Sequence, residues 1–242
     1  MREEERIIIA LDLSTKDEMF RILKRINQPG CYVKVGMELY LQEGADVVRE
    51  LKDRGYSVFL DLKLHDIPHT VNKAMKGLAR VGADMVNVHA AGGSEMMRAA
   101  VDGLGDGALK KRPICLAVTQ LTSTDQSMLE DELMIGYPMI DVIKHYGELA
   151  FRSGLDGVVC SAWEAGQIKA CTSPSFLAVT PGIRLESDAA GDQKRVASPA
   201  QARRLGSDYI VVGRSITSAV DPAAAFSRIL DEWRNKEWII NN

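Results

Sequence analysis

The sequence predicts a closed (β/α)8 barrel, and three observations lead there. Eight short β-rich runs follow one another through 242 residues. Stretches with helical spacing separate them, at intervals of roughly 25 to 30 residues, as a βα series requires. No shift of composition and no low-complexity linker divides the chain, so residues 1–242 read as a single TIM-barrel domain, a common length for that architecture. An open doubly wound sheet is the alternative arrangement of the same elements.

Taken in order, the first run is RIIIALDL (6–13). Met19, Ile22, Leu23 and Ile26 follow at i, i+3, i+4 and i+7, behind Thr15 and Glu18 in capping-box spacing. CYVKVG (31–36), SVFLDLKL (57–64) and DMVNVHA (84–90) are the second to fourth strands. GLGDGALKKRP (103–113) is glycine-rich, but it precedes a strand instead of following one, and it reads as a turn. PICLAVTQL (113–121), GVVCSA (157–162), FLAVTPGI (176–183) and YIVVGRSI (209–216) complete the eight. Phe226, Ile229, Leu230 and Trp233 mark a last helix after Asp221-Pro222, an N-cap with proline at the first helical position. The two longest polar insertions, 122–138 and 184–199, follow strands five and seven. Barrel active sites are built beyond strand C-termini, so both insertions are placed to act as lids.

Bulk properties exclude several functions. Apolar residues make up 46% and charged residues 26%, the balance of an ordinary soluble protein with a sizeable core. A net charge of −3 gives no reason to expect nucleic acid or an anionic membrane as partner. No stretch approaches the ~20 apolar residues that span a bilayer. MREEERIIIALDL at the start is too acidic and too short in its apolar run for a signal peptide, so the cytoplasm is the expected location. Cys31, Cys115, Cys160 and Cys171 form no Cys-x-x-Cys pair and read as small hydrophobes in a reducing compartment. His65, His69, His89 and His145 have no metal-ligand spacing, and His89, at the end of strand four, reads as a hydrogen-bonded structural residue. Neither a Walker loop nor a G-x-G-x-x-G motif occurs. The tail WRNKEWIINN carries two exposed-looking tryptophans, explained by packing on the barrel or on a partner subunit.

The informative residues are polar ones that interrupt strand ends. On strand three Leu60, Leu62 and Leu64 share one face, which leaves Asp61 and Lys63 together on the inner one, with Asp66 just beyond. Strand one gives Asp12 and strand two gives Lys34. Two acids and two lysines therefore meet near one mouth of the barrel, with a third acid close by. A single charge at a strand end is often solvated or merely ion-paired. Four that all fall inward on three successive strands point to function, because a purely structural buried pair can often be replaced by apolar residues. The other side of the mouth is suited to an anion. Gly213 and Arg214 end strand eight before what reads as a short helix, and Gly182 ends strand seven. Glycine lets the backbone approach, amides at a helix start point at the anion, and arginine supplies a fork of donors.

DLKLHDIP (61–68) fits the D-x-K-x-x-D-I signature, and ALDLS, VKVG, VHAAGG, VTQLTS, TPGIR and VVGRSIT follow in the same order as in one known family. From about residue 6 to residue 230 the chain resembles the orotidine 5′-phosphate decarboxylases. The resemblance implies decarboxylation of orotidine 5′-monophosphate to uridine 5′-monophosphate, in de novo pyrimidine synthesis, by a homodimer that uses neither metal nor organic cofactor. It implies an alternating charge network of Lys34, Asp61, Lys63 and Asp66, with Lys63 as the acid that stabilises and protonates a C6 carbanion. Asp66, Ile67 and Thr70 would reach across from the second subunit, Thr70 near the ribose. Asp12 and Lys34 would bind ribose hydroxyls, and Thr122 the pyrimidine edge. Pro181 would line the substrate pocket, while Arg184, Gln193, Gly213 and Arg214 would gather round the phosphate. Sugar-phosphate decarboxylases and aldolases of the same superfamily share D-x-K-x-x-D. They carry an acid where this sequence has Lys34, and that acid helps hold Mg²⁺. A lysine there repels a divalent cation. A Mg²⁺-dependent sugar-phosphate enzyme and a catalytically silent phosphate-binding barrel are the competing readings.

Overall fold

The computed structural model describes residues 2–185 and 196–235. In chain order its elements are β1 (Ile7–Ala10), α1 (Lys16–Ile26), β2 (Tyr32–Gly36), α2 (Met37–Glu43), α3 (Asp46–Asp53), β3 (Ser57–Leu64), α4 (Pro68–Val81), β4 (Met85–His89), α5 (Gly93–Gly107), β5 (Ile114–Val118), α6 (Met139–Arg152), β6 (Gly157–Val159), α7 (Ala162–Cys171), β7 (Leu177–Thr180), α8 (Pro199–Arg204), β8 (Tyr209–Val212), α9 (Arg214–Thr217) and α10 (Pro222–Arg234). Every strand pairs in parallel with the next, and β8 pairs back to β1, so the sheet is a closed barrel and not the open alternative. All eight expected runs are strands. Most stop short of the expected ends on the mouth side, as at Ala10, Val118 and Val212, where the chain leaves the ladder to build loops.

Side-chain alternation sorts the core into two layers. Ile8, Ala10, Phe59, Met85, Leu116, Val179, Tyr209 and Val211 fill the barrel interior. Their strand neighbours, such as Ile7, Ile9, Val58, Leu60, Val86, Ile210 and Val212, face outward under the helices. The helices close that outer layer as their caps dictate. The Thr15 hydroxyl accepts the Glu18 N–H to start α1, and Asp221 accepts from Ala223 and Ala224 at the head of α10. Trp233, on α10, is buried against the barrel with its indole N–H on Glu3, the packing expected for it; Trp238 lies outside the described residues.

Residues 103–107, expected in a turn, are instead the last turn and a half of α5. A Cβ on Gly103 would lie 2.2 Å from the Asn72 carbonyl oxygen, and one on Gly107 would lie 2.4 Å from that of Lys76. The glycines are spaced for close approach of α5 to α4, which outweighs their poor helix propensity. The turn itself begins at Ala108.

The base of the barrel carries an internal repeat. Gly82-Ala83-Asp84, Gly154-Leu155-Asp156 and Gly206-Ser207-Asp208 each lead into an even-numbered strand, and each glycine has positive φ, at 100°, 82° and 102°. In each, the aspartate N–H donates to a carbonyl of the preceding strand, at 2.9, 2.9 and 2.8 Å. Its carboxylate accepts the N–H of that same residue, Val58, Cys115 or Ala178, at 2.7, 2.7 and 2.8 Å. A basic side chain completes each unit: Lys52, Arg112 or Lys169. Asp156→Ala leaves the Cys115 amide and the Arg112 guanidinium without their acceptor, so it should cost about 2 kcal/mol. Thermal melting should show a fall of roughly 4–8 °C. Turnover per folded molecule should not change, because the clamp lies at the opposite end of the barrel from the mouth.

Candidate active site

The inward positions change character as each strand reaches its C-terminal end. β1 runs Ile8, Ala10 and then Asp12; β2 runs Tyr32 and then Lys34; β3 runs Phe59, Asp61 and then Lys63. Apolar filler thus gives way to charge at one level around the mouth. A cavity of about 410 Å³ opens there. Asp12, Lys34, Asp61 and Lys63 line one wall, and Ala10, Phe59, Val118, Val159 and Val211 form its apolar floor. Thr122, Pro181, Arg184, Gly213 and Arg214 line the rest.

The charges form a row of alternating sign. The Lys34 ammonium lies 2.6 Å from Asp12 Oδ1 and 3.6 Å from Asp61 Oδ2. The Lys63 ammonium lies 2.7 Å from Asp61 Oδ1. Lys34 is 9% exposed and Asp61 8%, so both depend on these partners. Burial alone would push the Asp61 carboxyl up. Attraction to Lys34 and Lys63, with hydrogen bonds from Lys63 and Asn87, outweighs burial and holds it below the usual carboxylate range.

Lys63 reaches this row through an irregular backbone. Leu60 pairs with Val86 but Leu64 with Val88, so β3 carries two more residues than β4 across this stretch. Lys63 itself has φ +50°, a left-handed conformation that costs an L-residue roughly 1–2 kcal/mol. Simple alternation therefore puts Lys63 on the correct face but misses the bulge that aims it. Just beyond, Pro68 starts α4 at its first helical position, and Asp66 accepts the Ile67 N–H at 2.6 Å. Asp66, Ile67 and Thr70 are exposed and lie off the cavity wall, with Ile67 66% exposed.

The remaining arc belongs to β7 and β8, with β7 diametrically across the eight-strand ring from β3. Gly182 has φ +80°, which favours glycine. Gly213 caps the short helix α9, as expected, and a Cβ there would meet only the Ala10 Cβ, at an ordinary 3.7 Å. Packing within the chain therefore does not demand glycine at 213, whereas a ligand against the backbone would. The expected lid after β7 is pinned where it leaves and returns: Ala197 N–H donates to Gly182 O and Arg184 N–H to Ala197 O, both at 3.1 Å. Gln193 lies outside the described residues. The other insertion, after β5, folds into a π-helical turn over Met128–Glu132, tied by Gln126 to Tyr137 O and to the Met139 N–H.

His89 closes β4 with its ring 5.7 Å from that of His65. Burial, then the charges of His65 and Lys63, lower its pKa against a weaker pull from Asp61. A histidine held neutral in this way contributes its full stability above about pH 6.5 and loses it as pH falls toward the lowered folded pKa. Asp61 acts further down: its contribution is complete above about pH 4 and is lost below that. Melting temperature should therefore fall between pH 7 and pH 5 in the parent protein. His89→Gln should show a smaller fall over the same window; an equal fall would assign that window to another group.

Sequence reasoning did not single out Asn87, Gln120 or Ser215. Gln120 and Ser215 line the cavity, and Asn87 lies beneath it, 1% exposed, donating to Asp61 Oδ1 at 2.7 Å. The signal for Asn87 was present in DMVNVHA: it stands two residues after the inward Met85, a polar side chain in phase with the barrel interior.

The model of the orotidine 5′-phosphate decarboxylase / HUMPS family matches residues 5–229, nearly the whole barrel. The chain belongs to this family. Among its relatives, the orotidine 5′-phosphate decarboxylase of Bacillus caldolyticus is 60% identical over 232 residues, covering 95% of each chain. That of Geobacillus kaustophilus is 59% identical with the same coverage. The crystal structure of orotidine 5′-phosphate decarboxylase from Lactobacillus acidophilus superposes with a TM-score of 0.87 at 41% identity, covering 96% of this chain and all of that one. A Geobacillus kaustophilus structure, described only as an uncharacterized conserved protein, gives a TM-score of 0.85 at 54% identity, over 94% of this chain and 100% of that one. The family's shared barrel thus accounts for the fold and for the position of the mouth.

Proposed function

We propose that this protein is an orotidine 5′-phosphate decarboxylase that works without metal or organic cofactor. The observation that carries the reading is Lys34: its ammonium occupies the place between Asp12 and Asp61, at 2.6 and 3.6 Å, where a divalent cation would otherwise be the counter-charge. A built-in cation favours the decarboxylase branch over the Mg²⁺-dependent sugar-phosphate enzymes that share the barrel signature.

The chemistry follows from the charge row. The bond from C6 of the pyrimidine to the carboxylate breaks heterolytically, carbon dioxide leaves, and the electron pair stays in an sp² orbital on C6. No conjugated carbonyl can take up that pair directly, so stabilisation must be electrostatic. Lys63 supplies a positive charge beside C6 and then gives C6 a proton, recovering one from solvent. Asp61, 2.7 Å from Nζ, orients the amine. Asp12 and Lys34 bind ribose hydroxyls, and Thr122 meets the ring edge. Pro181 lines the substrate pocket, while Arg184, Gly213 and Arg214 surround the phosphate, joined by Gln193 from the lid. The phosphate is remote from the breaking bond, so its binding energy can be spent on closing the lid and drying the site.

The site is completed by a homodimer. Asp66, Ile67 and Thr70 enter the second subunit's site, a reading supported by their exposure and by their position off this chain's own cavity. The protein acts in the cytoplasm, in pyrimidine nucleotide synthesis.

The test is optical. Purified protein mixed with orotidine 5′-monophosphate should bleach the orotate absorbance, and prolonged EDTA treatment should leave the rate unchanged. Loss of activity restored by Mg²⁺ would favour the sugar-phosphate branch, and nucleotide binding with no absorbance change would favour a silent binding barrel.

A further inference from the structure

We propose that Asn87 is a positioning residue for the reaction: its amide holds Lys63 in the left-handed backbone conformation that presents the ammonium to the cavity. The proposal rests on the decarboxylase reading above. The geometry is a closed ring. Asn87 Oδ1 accepts the Lys63 backbone N–H at 2.8 Å, and Asn87 Nδ2 donates to Asp61 Oδ1 at 2.7 Å. The same Asp61 oxygen accepts the Lys63 ammonium at 2.7 Å. One buried side chain on β4 therefore fixes both ends of Lys63, its amide directly and its ammonium through Asp61.

The chemistry of the partners fixes the orientation of the Asn87 amide. A backbone N–H only donates and a carboxylate only accepts, so the oxygen must face Lys63 and the nitrogen must face Asp61. The bulge explains why such a clamp is needed. Between Leu60 and Leu64 the ladder from β3 to β4 is interrupted, so a backbone amide there has lost its regular partner. Asn87 substitutes a side-chain acceptor for the missing carbonyl. Without it, the amide is unsatisfied and the positive φ of Lys63 loses its support. Neither leucine nor alanine at position 87 can make the two bonds. Aspartate can make both, but only when protonated: its carbonyl oxygen then faces the Lys63 amide and its hydroxyl donates to Asp61. Beside the Asp61 carboxylate, an introduced acid holds its proton to unusually high pH.

The discriminating experiment compares Asn87→Leu, Asn87→Ala and Asn87→Asp with the parent enzyme for kcat and KM toward orotidine 5′-monophosphate across pH 5 to 9. Affinity for uridine 5′-monophosphate is measured alongside. Leu and Ala should lower kcat by about 100-fold. KM and product affinity should stay within about threefold, since groups that grip ribose and phosphate are untouched. Asn87→Asp should show a new ionisation in kcat, with activity nearest the parent's at the acid end and falling as pH rises. A role confined to stability would lower melting temperature without that ionisation and without separating kcat from KM, and would overturn the proposal. So would parental kcat in all three variants. A crystal structure of unliganded Asn87→Leu gives a reading independent of turnover: Lys63 should leave positive φ and its amine should leave Asp61, and an unmoved Lys63 refutes the clamp. If the parent protein itself fails to decarboxylate the nucleotide, the functional reading fails, while that structure still decides whether Asn87 holds Lys63.

Discussion

Lys63→Ala should lower kcat by 10⁴-fold or more, while affinity for uridine 5′-monophosphate changes by less than about tenfold. Electrostatic stabilisation of a developing charge is commonly worth 10²–10³ in rate, and general acid catalysis a further 10²–10⁴. Lys63 is asked to supply both, to the same carbon. On the proposed reading, product binding depends on ribose and phosphate contacts from other strands, so it should survive. The substitution also leaves Asp61 with Lys34, at 3.6 Å, and Asn87 as its remaining partners, so the carboxylate is not stranded and the barrel should stay folded. Steady-state turnover beside calorimetric titration of the product separates the two effects. Near-parental kcat would remove Lys63 from the chemistry, and a parallel collapse of product affinity would mean that the variant damaged the pocket.

Asp66→Ala should also lower turnover, by 10²-fold or more, and its defect should be repaired in mixed dimers. Asp66 is exposed, and among the described residues its hydrogen bond is to the adjacent Ile67 amide, so folding should not suffer. If Asp66 serves the second subunit's site, a dimer of one Lys63→Ala chain and one Asp66→Ala chain has one doubly damaged site and one intact site. Random reassortment of equal amounts then returns about a quarter of the parental activity from two nearly inactive proteins. Absence of any recovery after verified exchange of subunits would place Asp66 in its own chain's site, or outside catalysis.

The barrel was legible because its signals are redundant. Eight apolar runs at regular spacing tolerate errors at every boundary, and cap residues such as Thr15 and Asp221 mark helix starts by local chemistry alone. The charge row was legible for a related reason. An acid or lysine inside an apolar strand is conspicuous, and Asp12, Lys34, Asp61 and Lys63 all reach the cavity wall. What stayed hidden depends on contacts distant in sequence. The Lys63 bulge arises from a mismatch between β3 and β4, and neither strand shows it alone. Asn87 looks ordinary until the bulge leaves an amide for it to satisfy. The glycines of α5 read as a turn because the helix they approach, α4, lies some thirty residues upstream, as the Asn72–Gly103 contact shows. The Gly-x-Asp clamps at the base are a repeat in plain sight, but their spacing is irregular, and only the shared hydrogen-bond pattern makes the three units equivalent.

The proposed reaction turns on an ammonium group that meets the electron pair left on C6. It is tested most directly by a crystal structure of the enzyme with a nucleotide analogue bearing a hydrogen-bond acceptor at ring position 6. Lys63 Nζ should lie within hydrogen-bonding distance of that acceptor, with Asp61 still on the same amine and Lys34 between Asp12 and Asp61. An amine turned away from position 6, or a metal ion standing where Lys34 should be, would contradict it.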